Sequence, residues 1–550
     1  MTPAPSRHFV RVGQRLVHYT RMGTGPAVAL LHASATSSGE MAQAQSVFAR
    51  DFCAIAFDTL GYGLSDPLQI ARAPELEDYA DALAETLTAL GIGRLAVYGR
   101  HTGASIAVEF ARRHPARCTM VLTDGYPIWT EAERAKMLGA YLPALTQSWE
   151  GAHLLWSWFR YRDQHAFWPW FDRRAAARAT RDVPPLAFIH RGALELLQAG
   201  DGYRVGYSAA FRHDGAAALA GIEVPVCLGT RPTDLIHPMR DRAPPGSWRV
   251  EMPGDALAAA VAERALLAIH PAGPPPDAPP CAAVPSRCTP NFLEVNGNRL
   301  LMRQAGEDGP ETLLLIPEIP GGTAAWALLL DAMRTKAIAI DLPGLGESDA
   351  ADGFVPDVEA WAACLLAALD AAGVGQIGIF AHRGGCAVAV ALAALAPARV
   401  AGVVLSSPPA VAAEQRTRLI DSYAPEIEPT WDGSHLLRVW HHLRDQEFWW
   451  PWFDQKQAAA LHTDPAVSPD TLTIRALACL RQPQRYRPAW QVVWRYDLLG
   501  ALAALPVPVR VGVSEGDAFG HLATAAATVL GQPVEAWPEF TASFLDSLAI

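Results

Sequence analysis

The chain has 550 residues, half of them hydrophobic and 18% charged, with a formal net charge of −11. That length exceeds one ordinary domain, and the composition supports large cores and excludes global disorder. The acidic balance argues against nucleic acid or an anionic membrane surface as a partner.

In chain order, the opening MTPAPSRHFVRVGQRL carries no apolar signal-peptide core, so a cytoplasmic location is expected. AVALLHA (27–33), CAIAFD (53–58), LAVYG (95–99) and TMVLTDG (119–125) read as short buried strands separated by helical stretches. A Trp-rich helical insertion over 128–215 follows, and then the strand VPVCLGT (224–230). The Pro-rich stretch 271–290 predicts a stiff, extended linker. Beyond it the order repeats: LLLIPEI (313–319), AIAID (337–341), IGIFA (377–381), GVVLSSP (402–408), a second insertion over 410–497, and VPVRVGV (507–513). Apolar strands alternating with helices imply the α/β class, each mostly parallel sheet being covered by helices on both faces. Ligands of such sheets bind at the carboxyl ends of the strands, where the insertions would form a helical cap. The longest apolar run, 386–405, is broken by Pro397 and Arg399 and is too short on either side to span a bilayer.

The chain is also an internal repeat. His153 and Asp163 in GAHLLWSWFRYRDQHAFWPWFD return 282 positions later as His435 and Asp445 in GSHLLRVWHHLRDQEFWWPWFD. FDTLGYGLSD (57–66) and YRVGYSAAFRHD (203–214) return with a shift of 283. The shift is nearly constant, so two copies of one domain are expected, 1–270 and 291–550, forming an intramolecular pseudo-dimer. The eight cysteines lack metal-ligand spacing; Cys281 and Cys288 read as free thiols and no metal is expected. The Gly-containing segments after the second core strands lack dinucleotide-binding spacing, so no cofactor is expected and a small molecule is the expected ligand.

LLHASATSS, the D-x-x-G-x-G-x-S-D segments and the strand–turn–helix over 97–110 resemble the α/β-hydrolase superfamily. The branch is that of epoxide hydrolases, haloalkane dehalogenases and carbon–carbon bond hydrolases. The resemblance covers nearly all of both halves, with the insertions matching the family's cap. It implies a nucleophile on a tight elbow, flanked two residues away on each side by small residues. The first half has Gly99-Arg100-His101-Thr102-Gly103 there, and the second Ala381-His382-Arg383-Gly384-Gly385. The elbows keep their small residues, yet neither holds Ser, Cys or Asp at the centre.

The resemblance also implies a closing histidine late in each domain, where Asp255 and Glu539 stand. The reading that follows is an inverted dyad: Asp255 orients His101, which acts as a general base. Backbone N–H groups of Thr102 and of the Ala33–Ser34 loop would supply an oxyanion hole, with His32 propping that loop. Asp124 and Asp234 occupy the places of the family's acid, and His153 is the cap residue best placed to contact substrate. The second site, Arg383 with Glu539 or Asp517, reads as degenerate, because an arginine stays protonated. The expected activity is hydrolysis or lyase-type chemistry on a small, largely apolar carbonyl or ester-like substrate. The alternative is a non-catalytic pseudo-hydrolase that binds a small molecule or a protein.

Overall fold

Two sheets of eight strands share one strand order. The computed structural model describes residues 4–284, 286–307, 312–462, 464–465, 467–537, 545 and 547. The first sheet contains β1 (Ser6–Val12), β2 (Arg15–Met22), β3 (Ala27–Leu31), β4 (Cys53–Phe57), β5 (Leu95–Arg100), β6 (Cys118–Asp124), β7 (Val226–Thr230) and β8 (Trp248–Glu251). They lie in the order β1-β2-β4-β3-β5-β6-β7-β8; the β1–β2 and β2–β4 pairs are antiparallel and the rest parallel. The second sheet repeats this with β9 (Thr289–Val295), β10 (Asn298–Ala305), β11 (Thr312–Ile316), β12 (Ala337–Ile340), β13 (Ile377–His382), β14 (Val400–Ser406), β15 (Val509–Ser514) and β16 (Glu535–Trp537).

The unbroken apolar strands follow from burial on both faces. In β3, Val28 and Leu30 join a cluster with Phe48 and Met120, while Ala29 and Leu31 join another with Leu83 and Phe110. In β11, Leu314 and Ile316 face one cluster, Leu313 and Leu315 the other. Each buried leucine or isoleucine contributes about 1.5–3 kcal/mol, so a strand with polar residues on one face would forfeit half of its core. Each cap is inserted between the sixth and seventh strands of its sheet. In the first repeat it begins with the helix Glu131–Ala140 and ends with Tyr203–Arg212; in the second it runs from Ala413–Ser422 to Tyr486–Arg495.

The chain divides into two compact units, Met1–Thr146 with Trp156–Ala282, and Gln147–Leu155 with Ala283–Ile550. This departs from the expected boundaries in two places. The Pro-rich stretch up to Ala282 is part of the first unit: Gly273 O accepts from Ala27 N at 3.0 Å, and Pro276 O accepts from Arg21 Nη1 at 2.6 Å. Gln147–Leu155, expected in the first cap, belongs to the second unit. There Trp440 Nε1 donates to Trp149 O at 3.0 Å, and a Cβ on Gly151 would meet the Trp440 ring at 2.6 Å. All eight cysteines are free thiols. Among the described residues no helix is long and apolar enough to cross a membrane.

Candidate functional site

Both elbows have the geometry their glycines suggested. β5 ends at Arg100, the helix Thr102–Arg113 begins at once, and His101 between them has φ 47° and ψ −108°. Arg383, between β13 and the helix Gly385–Leu395, has φ 45°. A positive φ is costly for residues with a side chain, so the packing around each elbow must hold it in place. The small neighbours are what permit that packing. A Cβ on Gly99 would lie 2.3 Å from Gly103 O, one on Gly103 2.2 Å from Leu31 O, and one on Gly385 2.3 Å from Pro317 O.

In the first unit the His101 ring meets Asp234, with Nε2 2.8 Å from Oδ2. Asp234 lies in the loop after β7, and its other oxygen accepts from Ile236 N at 3.0 Å. A carboxylate only accepts, so Nε2 carries the proton and Nδ1 keeps its lone pair in the neutral ring. Nδ1 has no hydrogen-bond partner among the described residues, and the side chain is 34% exposed. Burial works to raise the Asp234 carboxyl, but the His101 charge and hydrogen bond, with Arg100, hold it below the usual carboxylate range. The pair packs over Gly125, where a Cβ would lie 2.8 Å from Asp234 Oδ2 and 2.9 Å from His101 Cδ2. Beside the ring is a cavity of about 30 Å³, lined by Thr102, Pro127, Trp129, Trp168 and Phe211 among others. It has room for about one or two waters.

Asp255 does not orient His101, and the expectation is corrected. Asp255 is the exposed N-cap of the helix Ala256–Leu267, its Oδ1 accepting from Ala258 N at 2.8 Å. The unpaired N–H groups at that helix start claim the carboxylate. His153 is also displaced from its expected role. It belongs to the second unit, buried, with Nε2 3.0 Å from Thr473 Oγ1 and Nδ1 accepting from Ser148 N. Burial lowers its pKa to about 4.

The remaining first-half candidates support the site from below. His32 Nε2 accepts from Thr59 N at 2.9 Å, so Nδ1–H donates to Ala33 O, and the ring is a brace. The Ala33 N–H, expected in an oxyanion hole, is donated to Glu40 Oε2 at 2.8 Å. Ser34 is buried beside it, and Thr102 is buried as the first residue of the elbow helix. Asp124, fully buried at the end of β6, receives both Nε and Nη2 of Arg231 and lies 3.6 Å from Arg100 Nε. It is the anchor of an ion pair and makes no hydrogen bond to His101.

In the second unit Arg383 donates Nε to Asp517 Oδ1 at 3.1 Å, and donates Nη1 and Nη2 to the two oxygens of Glu447 at 2.9 and 3.1 Å. Arg475 pairs with Glu318 through both oxygens and reaches Glu447 Oε1 at 3.1 Å. Glu539 lies outside the described residues. Sequence reasoning missed Glu318, Glu447 and Arg475. One signal was present: the matched Arg-Asp-Gln triplets are followed by His165 in one repeat and Glu447 in the other. This network floors a cavity of about 290 Å³.

The family model described as the alpha/beta hydrolase fold matches residues 311–438. A 2-(acetamidomethylene)succinate hydrolase of Mesorhizobium japonicum is 27% identical over 149 residues, covering 26% of this chain and 53% of that protein. An uncharacterized protein of Mycobacterium tuberculosis is 31% identical over 93 residues, covering 17% and 27%. The chain thus spans about half, or less, of the length of the curated relatives it matches. Among solved structures, epoxide hydrolase A from Mycobacterium thermoresistibile is similar at 16% identity and TM-score 0.38, covering 48% of this chain and 98% of that one.

Proposed function

We propose, from the premise that the chain belongs to the α/β-hydrolase superfamily, that its first unit is a hydrolase-type enzyme in which His101 is a general base. The observation that carries this is the 2.8 Å His101–Asp234 hydrogen bond on the elbow. Asp234 fixes the tautomer and steadies the imidazolium that forms when Nδ1 takes a proton, as an acid does for histidine in a triad. A histidine base takes its proton from a water or from a carbon next to a carbonyl, and needs no covalent acyl intermediate. The aromatic wall of the cavity supports a small, largely apolar, carbonyl-containing or ester-like substrate. Since that cavity has room for only about one or two waters, the cap side chains must move to admit such a molecule.

The second unit does not share this chemistry in our reading. Arg383 keeps its proton at any working pH, and Asp517 and Glu447 fully engage it. The test is turnover of aryl esters, lactones, epoxides and β-diketones by the whole chain and by His101→Gln. Loss of about 10²- to 10⁴-fold is expected where the base is removed. A rate indifferent to His101→Gln would overturn the proposal.

A further inference from the structure

The larger cavity lies in the second unit, and its floor is electrically unbalanced. Glu318, Glu447 and Asp517 pair with Arg383 and Arg475. Four of these five side chains are less than a tenth exposed, and Glu318, the most open, is 17% exposed. His382 also lines the cavity, its Nδ1 3.8 Å from Asp517 Oδ2, but burial pushes its pKa down to about 4, which leaves it neutral. Glu515 on the rim adds a further carboxylate, and no other Lys, Arg or His lines the space. Nor do the residues of the second repeat outside the described set include one: 285, 308–311, 463, 466, 538–544, 546 and 548–550 contain no Lys, Arg or His.

Surplus negative charge on carboxylates this far buried is screened less than at a surface and favours a cation in the cavity. The upper walls are apolar, with Trp326, Leu329 and Ile474 around a mouth at which Ile474 is 41% exposed. A metal ion fits this lining poorly: it needs several oxygens converging on one point, whereas Glu318 and Glu447 already turn both oxygens to guanidinium nitrogens. A diffuse organic ammonium needs only the net field, and an indole face adds to its binding.

We infer that the second unit's cavity is a binding site for a small organic cation, a protonated amine with an apolar body. Its ammonium faces Glu318 and Asp517, and its apolar part lies along Trp326, Leu329 and Ile474. Arg383 is then a fixed part of the floor, holding Asp517 and Glu447 in place while their surplus charge faces the ligand. The site is independent of the His101 chemistry and stands if that reading fails.

Calorimetric titration of the whole chain with benzylammonium, benzyl alcohol and benzoate, three probes of nearly one shape, tests this. Benzylammonium is expected to bind at one site, about tenfold or more tighter than benzyl alcohol, and benzoate not at all. Glu318→Gln is expected to weaken the cation about tenfold. Ile474→Trp, at the exposed mouth, should abolish binding without touching the ion-pair floor, which covers the case in which Glu318→Gln fails to fold. Equal affinity for benzyl alcohol, no binding of benzylammonium at millimolar concentration, or cation binding indifferent to Ile474→Trp would overturn the assignment.

Discussion

His101 donates Nε2–H to Asp234 across 2.8 Å, and the corresponding seats of the second unit hold Arg383 and Asp517 at 3.0 Å. Each unit therefore places a basic side chain on its elbow and ties it to an aspartate in the loop after its seventh strand. The difference lies in the base: an imidazole can give up its proton, and a guanidinium cannot.

The tautomer of His101 follows directly. A carboxylate at 234 accepts only, whereas an Asn amide both donates and accepts. Nitrogen-15 NMR of the imidazole is expected to show the Nε2–H form in the native chain, and a mixture or the other form in Asp234→Asn. An Nδ1–H ring in the native chain would contradict the geometry.

Gly125 answers to two demands, a φ of 77° and the space occupied by the His101–Asp234 pair. Gly125→Ala is expected to destabilise the first unit by about 1–3 kcal/mol and to push the pair apart. Chemical denaturation with the mutant's activity measured alongside checks both effects.

The ion-pair floor of the second unit is expected to punish removal of one partner. Glu447 is 1% exposed and holds both Arg383 and Arg475. Glu447→Ala leaves two guanidinium groups short of an acceptor, and a loss of about 3–5 kcal/mol is expected. A thermal unfolding curve unchanged from the native one would show that these charges are solvated.

The pH dependence of stability turns on Glu263, on the helix Ala256–Leu267. Burial, with the nearby Asp124 charge, pushes its carboxyl up to about 8, above the ordinary value of about 4.3 in the unfolded chain. The folded state therefore keeps a proton that the unfolded state has released. This contribution is complete below the unfolded value and is lost as pH rises through the folded one. Glu263→Gln, permanently neutral, is expected to gain melting temperature relative to the native chain between about pH 5 and about pH 9, at roughly 2–4 °C per kcal/mol. A constant difference across that range would refute it.

The sequence made the fold and the elbows legible because both rest on local rules. Unbroken apolar runs demand a two-sided sheet, and Gly99 and Gly103 are spaced for a turn that no larger residue fits. The partner of His101 was less visible. Asp255 stood at the seat the resemblance suggested, but it precedes a helix whose free N–H groups take its carboxylate. Asp234 stands at an acid position of the resemblance, yet its reach to His101 depends on how the loop after β7 closes, which spacing alone does not fix. Glu318 sits in LLLIPEIPGG and Glu447 in RDQEFWWP, both apolar surroundings. Their meaning rests on two arginines that come near them only in three dimensions.

In this reading Asp234, and not Asp255, serves the base. The most direct measurement is turnover of one accepted substrate by Asp234→Asn and Asp255→Asn side by side, with folding checked by thermal melting. A fall of about 10²- to 10⁴-fold is expected for Asp234→Asn at near-native stability. Asp255→Asn is expected to keep native turnover, with at most about 1 kcal/mol lost from a weakened helix cap. Full activity in Asp234→Asn, or a collapse of activity confined to Asp255→Asn, would contradict it.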